Sequence, residues 1–171
     1  MSDQSSAAIA ATRRDWKTEH LEMYLGSGGT RGHIVDVSDI GGHKFTTTLL
    51  LRYVGRKSGN ALITPLIYGD IGGEVVIVAS KGGADHHPAW YLNILGSEHV
   101  EFQIATQAYR ATWREPQGAE REKIWNFMVD VFPSYANYQK ATSRQIPLVV
   151  MKAVASIDVF KESDATGTRE A

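Results

Sequence analysis

The chain has 171 residues, 18 Lys plus Arg against 19 Asp plus Glu, a formal net charge of −1 and 43% hydrophobic residues. That length forms one domain with a sizeable core. The missing basic excess argues against a nucleic-acid partner, and the lack of cysteine removes disulfide, iron–sulfur, thiolate-zinc and thiol-nucleophile chemistry together.

No run reaches the ~18 apolar residues that cross a bilayer, and the first residues lack the basic and apolar pattern of a signal peptide. A cytoplasmic address with no integral membrane segment is therefore expected. Residues 1–11 and 162–171 are small and polar and read as flexible tails around a single domain at 12–155.

Residues 12–25 have a helical pattern, with Thr12 or Asp15 as cap and Trp16, His20, Met23 and Tyr24 near one face. The glycine-rich stretch 26–32 ends it. Residues 45–54 are rich in Thr, Leu and Tyr and suit a strand. Gly55 to Gly59 (GRKSG) is a turn, and 62–68 is a second strand completing a hairpin. After a turn at 69–73, residues 74–80 (EVVIVAS) form a buried strand. Pro88 fits the first turn of a short helix over 87–95. Val100, Phe102 and Ile104, then Tyr109, Ala111 and Trp113, alternate with polar residues, the period of half-buried strands. Residues 118–132 form the clearest helix, with Ile124, Phe127, Met128 and Val131 at i, i+3, i+4 and i+7 and Pro133 ending it. A short helix over 135–141 and a last apolar strand over 147–154 follow. Short turns between strands make the sheet antiparallel. The fold class is mainly β with flanking α (α+β), a small barrel of about six antiparallel strands.

Four stretches carry candidate chemistry. Between Ile40 and Gly69 there are four basic residues (Lys44, Arg52, Arg56, Lys57) and no acid. The glycine-bounded turn with Arg56, Lys57 and Ser58 is either an anion site built from cations, a hydroxyl and backbone N–H groups, or a solvated hairpin turn. Ser80-Lys81-Gly82-Gly83 places a hydroxyl, an ammonium and two glycines at a strand end, where a ligand can approach backbone, though a plain strand-ending loop has the same composition. Trp90, Tyr91 and Asn93 add aromatic platforms and an amide. The neighbouring His86 and His87 lack the further ligands of a metal set and read as surface or capping histidines, so no metal is assigned. Tyr135 and Tyr138 lie three apart on one helical face and can donate protons or pack on the barrel.

In this order, the GRKSG turn with Thr64-Pro65-Leu66 after it, the segment Val76 to Asn93, the helix Tyr135-Ala136-Asn137-Tyr138-Gln139 and the strand Ile146-Pro147-Leu148-Val149 resemble the deazaflavin-dependent nitroreductase and quinone reductase family, whose members use coenzyme F420 (8-hydroxy-5-deazaflavin). The resemblance spans about residues 45–152 and implies a split β-barrel of the flavin-reductase, FMN-binding type. It implies that Arg56, Lys57 and Ser58 hold the anionic cofactor tail, that Thr64, Pro65, Ser80, Lys81, Trp90, Tyr91 and Asn93 lie against the cofactor, and that Tyr135 and Tyr138 wall the substrate side. Tyr135, then Ser80 and Tyr138, are the candidate catalytic groups. The implied reaction is hydride transfer from reduced F420 to a small-molecule acceptor: a quinone, nitroaromatic or activated alkene. The alternatives are an FMN- or FAD-binding barrel and a non-catalytic barrel for lipids or other small ligands. Leu62 stands where the family has an arginine; Arg52 is either the source of the replaced charge or is pointed away by its strand alternation. A homodimer, and a peripheral membrane contact for a lipid quinone, are further expectations. Residues 26–44 receive no role.

Overall fold

The computed structural model describes residues 16–164. The first helix, α1, covers 16–26. The elements that follow are β1 (Ile34–Val35), β2 (Thr46–Val54), β3 (Ala61–Ile67), β4 (Gly69–Ile71), β5 (Glu74–Val78), α2 (Ala89–Ile94), β6 (His99–Ile104), β7 (Gln107–Arg114), α3 (Gly118–Val131), α4 (Ser134–Lys140) and β8 (Leu148–Ile157). All strand pairs are antiparallel. The path runs β1-β2-β6-β7-β8-β5-β4, with β3 paired along β2. This curled half-barrel with outer helices is the expected split barrel, carried by eight strands among the described residues where about six were expected.

The two additional strands are short. β4 occupies the start of the stretch expected as a turn, and the reversal shrinks to Gly72-Gly73, both at positive φ (60° and 89°), as a two-residue hairpin turn requires. β1 holds only Ile34 and Val35, against Thr47 and Thr46.

Three apolar clusters explain the layers. Alternate residues of β2 (Leu49, Leu51, Tyr53), β5 (Val75, Ile77), β6 (Val100, Phe102) and β8 (Val149, Met151) fill the barrel, and Trp90, Tyr91 and Ile94 of α2 plug it. The opposite faces of β5 and β8 (Val76, Val78, Leu148, Val150) carry Ile124 and Met128 of α3 together with Phe132 and Tyr135. Strands covered on both faces read as unbroken apolar runs, which is why EVVIV and LVVM show no alternation. On α3, Ile124 and Met128 are buried as expected, while Phe127 stays 38% exposed.

The third cluster sets Leu21, Tyr24 and Leu25 of α1 on Leu50, Ile63, Ala108 and Phe160. The buried face of α1 is therefore His20, Leu21, Tyr24 and Leu25; Trp16 is 44% exposed, because it precedes the strip that meets the sheet. Thr12 and Asp15 lie outside the described residues. β8 runs three residues past the expected Val154, and the expected tail from 162 opens on a 3-10 turn, Glu162–Asp164, whose Asp164 pairs with Arg52 at 3.3 Å. No described helix is long and apolar enough to cross a membrane.

Tyr24 is the polar centre of the third cluster. Its hydroxyl donates to the Thr48 carbonyl (2.9 Å) and accepts from the Ala105 N–H (2.9 Å), and burial pushes its pKa up to about 12. Tyr24→Phe strands both backbone groups and is expected to lower stability by about 1–3 kcal/mol, read as a lower urea midpoint.

Candidate active site

The four stretches meet in two pairs, the first with the third and the second with the fourth. The first is the β2–β3 turn. The Gly55 N–H donates to the Asn60 carbonyl (2.9 Å) and the Gly59 N–H to the Gly55 carbonyl (2.8 Å), while Ser58 Oγ accepts the Asn60 N–H (3.1 Å). A Cβ on Gly55 would stand 2.7 Å from Ser58 Oγ, so glycine leaves that hydroxyl room to take the Asn60 N–H. Lys57 and Ser58 are exposed. The backbone N–H and Nη1 of Arg56 both donate to Oδ1 of Asn93, at 3.0 and 2.8 Å. Asn93 is 4% exposed, so a buried amide of α2 aims a surface cation. That contact joins the first stretch to the third.

Thr64 and Pro65 pair with Leu51 and Leu50, farther along β3. Pro65 is tolerated because, among the described residues, β3 pairs only with β2 and is an edge. Trp90 and Tyr91, expected as platforms, are core residues at 4% and 6% exposure. The Tyr91 hydroxyl donates to Glu115 Oε1 (2.7 Å), and burial, together with this bond, raises its pKa far above the ordinary value.

Ser80 is buried and Lys81 exposed at the end of β5. Lys81 (φ 46°), Gly82 (63°) and Gly83 (83°) are consecutive left-handed residues in a 3-10 turn over Lys81–Gly83. For a lysine this conformation costs ~1–3 kcal/mol unless its surroundings enforce it. Gly83 packs directly on the backbone of Tyr138, joining the second stretch to the fourth. On α4, Tyr135 is buried with its ring centroid 5.0 Å from Phe132 and 6.3 Å from Tyr138, and burial together with the Tyr138 phenol drives its pKa well up. Tyr138 is half-buried.

Arg52 and His87 behave differently from their sequence reading. Arg52 is bound to Glu101 (2.7 Å) and Asp164 (3.3 Å) and stacks on Phe160 at 4.6 Å, so its charge is matched inside the fold and does not replace the arginine absent at Leu62. Leu62 itself is 4% exposed in the barrel core. His87, read as a surface or capping histidine, accepts from Arg144 (Nη1 to Nδ1, 2.9 Å). Arg144 carried no sequence signal: it is a lone arginine in the polar linker between α4 and β8. No three His, Asp or Glu side chains among the described residues gather as a metal site. A polar cavity of about 190 Å³ lies beside His87, Tyr91, Glu115, Arg121 and Pro147.

A sequence profile of the F420H(2)-dependent quinone reductases matches residues 16–153. The chain belongs to this family. It is 31% identical over 135 residues to an F420H(2)-dependent quinone reductase of Mycobacterium tuberculosis, covering 77% of this chain and 86% of that one. Among solved structures it is similar to an F420-H2 dependent reductase (FDR-A), with TM-score 0.57 and 37% identity over 61% of this chain and 93% of the other. It is also similar to a structure described as a domain-swapped dimer, with TM-score 0.60 and 34% identity over 82% and 99% of the two chains. The expected class therefore holds for this quinone reductase relative: an F420-dependent oxidoreductase on a split barrel.

Proposed function

We propose that this chain transfers a hydride from reduced coenzyme F420 to a quinone, with Arg56, Lys57 and Ser58 as the tail site and the Ser80–Gly83 turn and α4 flanking the reacting end. One observation carries the assignment of residues: the buried Asn93 amide holds the Arg56 guanidinium at the rim of the barrel. A cation oriented from beneath by a neutral oxygen keeps its remaining N–H groups for an anionic ligand. The fit to a multiply anionic cofactor is good, since residues 41–68 hold no acid and, among the described residues, only Arg52 of their basic residues forms a salt bridge.

Bound F420 supplies the hydride; the protein supplies position, charge and exclusion of water. Arg56 and Lys57 neutralise the tail, and the Ser58 hydroxyl adds a donor. Ser80 and Lys81 present backbone and side chain at the strand end. The raised pKa of Tyr135 keeps its phenol protonated at neutral pH, and Tyr138, half-exposed against Gly83, is the better-placed of the two to deliver a proton from its hydroxyl. The reaction is assigned to the cytoplasm, at a membrane surface where the quinone is lipid-borne. A homodimer is part of this reading, supported by the domain-swapped relative and by residues 152–156 of β8, which are exposed and whose strand partners, among the described residues, are in β7 alone.

Titration of the protein with oxidised F420, FMN and FAD in parallel, read by tryptophan quenching, tests the cofactor. Selective F420 binding is expected. FMN or FAD binding alone supports a flavin barrel, and binding of none points to a small-ligand carrier. Arg56→Ala with Lys57→Ala is expected to raise the F420 dissociation constant at least about tenfold. An unchanged constant removes the tail role from this turn.

A further inference from the structure

We propose that Arg144 is a positioning residue that holds the Ser80–Gly83 turn so that the Ser80 and Lys81 backbone N–H groups face the cofactor, an inference that rests on the cofactor reading above. One guanidinium binds both ends of the turn. Nη1 donates to the Ala79 carbonyl (3.2 Å), Nη2 to the Ser80 carbonyl (2.7 Å) and Nε to the Ala84 carbonyl (2.8 Å), and Nη1 also donates to His87 Nδ1 (2.9 Å). A planar fork with fixed donor directions can serve these acceptors together; a lysine ammonium has no such span.

The direction of the turn follows from peptide geometry. No cis peptide bond is present among the described residues. In a trans peptide, the carbonyl of one residue and the N–H of the next point opposite ways. With the Ala79 and Ser80 carbonyls on Arg144, the N–H groups of Ser80 and Lys81 are directed to the other side. A charge-assisted bond to each carbonyl also polarises its amide and strengthens the N–H as a donor. Arg144 thereby sets two adjacent donors toward an electronegative or anionic edge of a bound ligand without touching it. The left-handed Lys81-Gly82-Gly83 run needs an outside hold, and Arg144 provides it from one side while Tyr138 abuts Gly83.

The test compares the wild type, Arg144→Ala and Arg144→Lys as full chains. Hydrogen exchange is followed in peptides covering 78–86 and in peptides covering 50–60, and F420 affinity is titrated with and without added guanidinium below denaturing concentrations. Arg144→Ala is expected to exchange faster at 80–84 with little change at 50–60 and to bind F420 roughly tenfold more weakly. Free guanidinium is expected to restore part of the affinity, and Arg144→Lys, which keeps the charge and the fold, to fall between. Unchanged exchange at 80–84, or faster exchange with wild-type affinity in both variants, overturns the proposal. So does uniform loosening of all peptides that guanidinium only worsens, since that is a plain loss of stability. If the wild type itself binds no F420, the cofactor reading fails and takes the cofactor half of this proposal with it, while the exchange data still decide whether Arg144 orders the turn.

Discussion

Gly83→Ala is expected to weaken F420 binding by about tenfold or more and to lower stability at the same time. A Cβ at this position would lie 2.8 Å from the Tyr138 carbonyl oxygen and 2.9 Å from its Cα, with φ at +83°. Those neighbours are backbone of α4 and cannot rotate aside. Strain at the residue and overpacking against the helix each amount to ~1–3 kcal/mol. Relief requires α4 to retreat or the turn to change hand, and either separates Ser80 and Lys81 from Tyr138. Gly82→Ala is the control: its φ is +63°, nothing lies within 4 Å, and only the left-handed penalty of ~1–2 kcal/mol applies. Titration of both variants with F420, alongside urea unfolding, separates the effects. A Gly83→Ala protein that binds like the wild type removes the turn–α4 contact from the site.

The largest loss of stability is expected from Gly29→Ala. The added Cβ would fall 1.7 Å from the Ala105 carbonyl oxygen and 2.4 Å from its carbon, at φ +89°. Ala105 has no freedom to withdraw. It is itself left-handed (φ 51°), its N–H is held by the Tyr24 hydroxyl and its carbonyl by Gln103 Nε2 at 2.9 Å. Breaking that knot also disturbs the bond from the Phe160 N–H to Gln103 Oε1 (2.7 Å). A destabilisation of ~4–5 kcal/mol or more is expected, a large part of the stability of an ordinary domain. Gly28→Ala, with open space around it, is expected to cost about 1–2 kcal/mol. Urea midpoints of the two variants measure the difference, and similar midpoints would show that the loop at 26–32 yields more easily than its contacts imply.

The sheet was largely legible because its strands announce their surroundings. β6 and β7 alternate, being half-covered, and β5 and β8 are unbroken apolar runs, being covered twice. β1 and β4 were not legible: two or three residues hold no period, and Asp70 and Gly69 in β4 favour turns. At the site, the residue types were readable but not the ties between them. Nothing in the order of residues shows that Asn93 receives Arg56, since they are 37 positions apart, or that Arg144 gathers carbonyls more than 55 positions upstream. Arg52 shows the same limit. Its place in a cationic stretch implied a role with anions, and only the folded chain brings Glu101, Asp164 and Phe160 around it.

The position of β8 has a consequence for how the molecule assembles. β2–β3, β4–β5 and β6–β7 are hairpins between neighbours in the chain, closing over short loops, and each can form early. β8 alone hydrogen-bonds to both β5 and β7, along Leu148–Met151 and Val150–Ile157. The two parts of the sheet are stitched together only when this distant segment inserts, and the entropy of bringing it home precedes any reward from the contacts it makes. Docking of β8 is thus expected to be the rate-limiting event in refolding, and side-chain truncations at Val149 or Met151 should slow the approach to the native state more than they hasten escape from it.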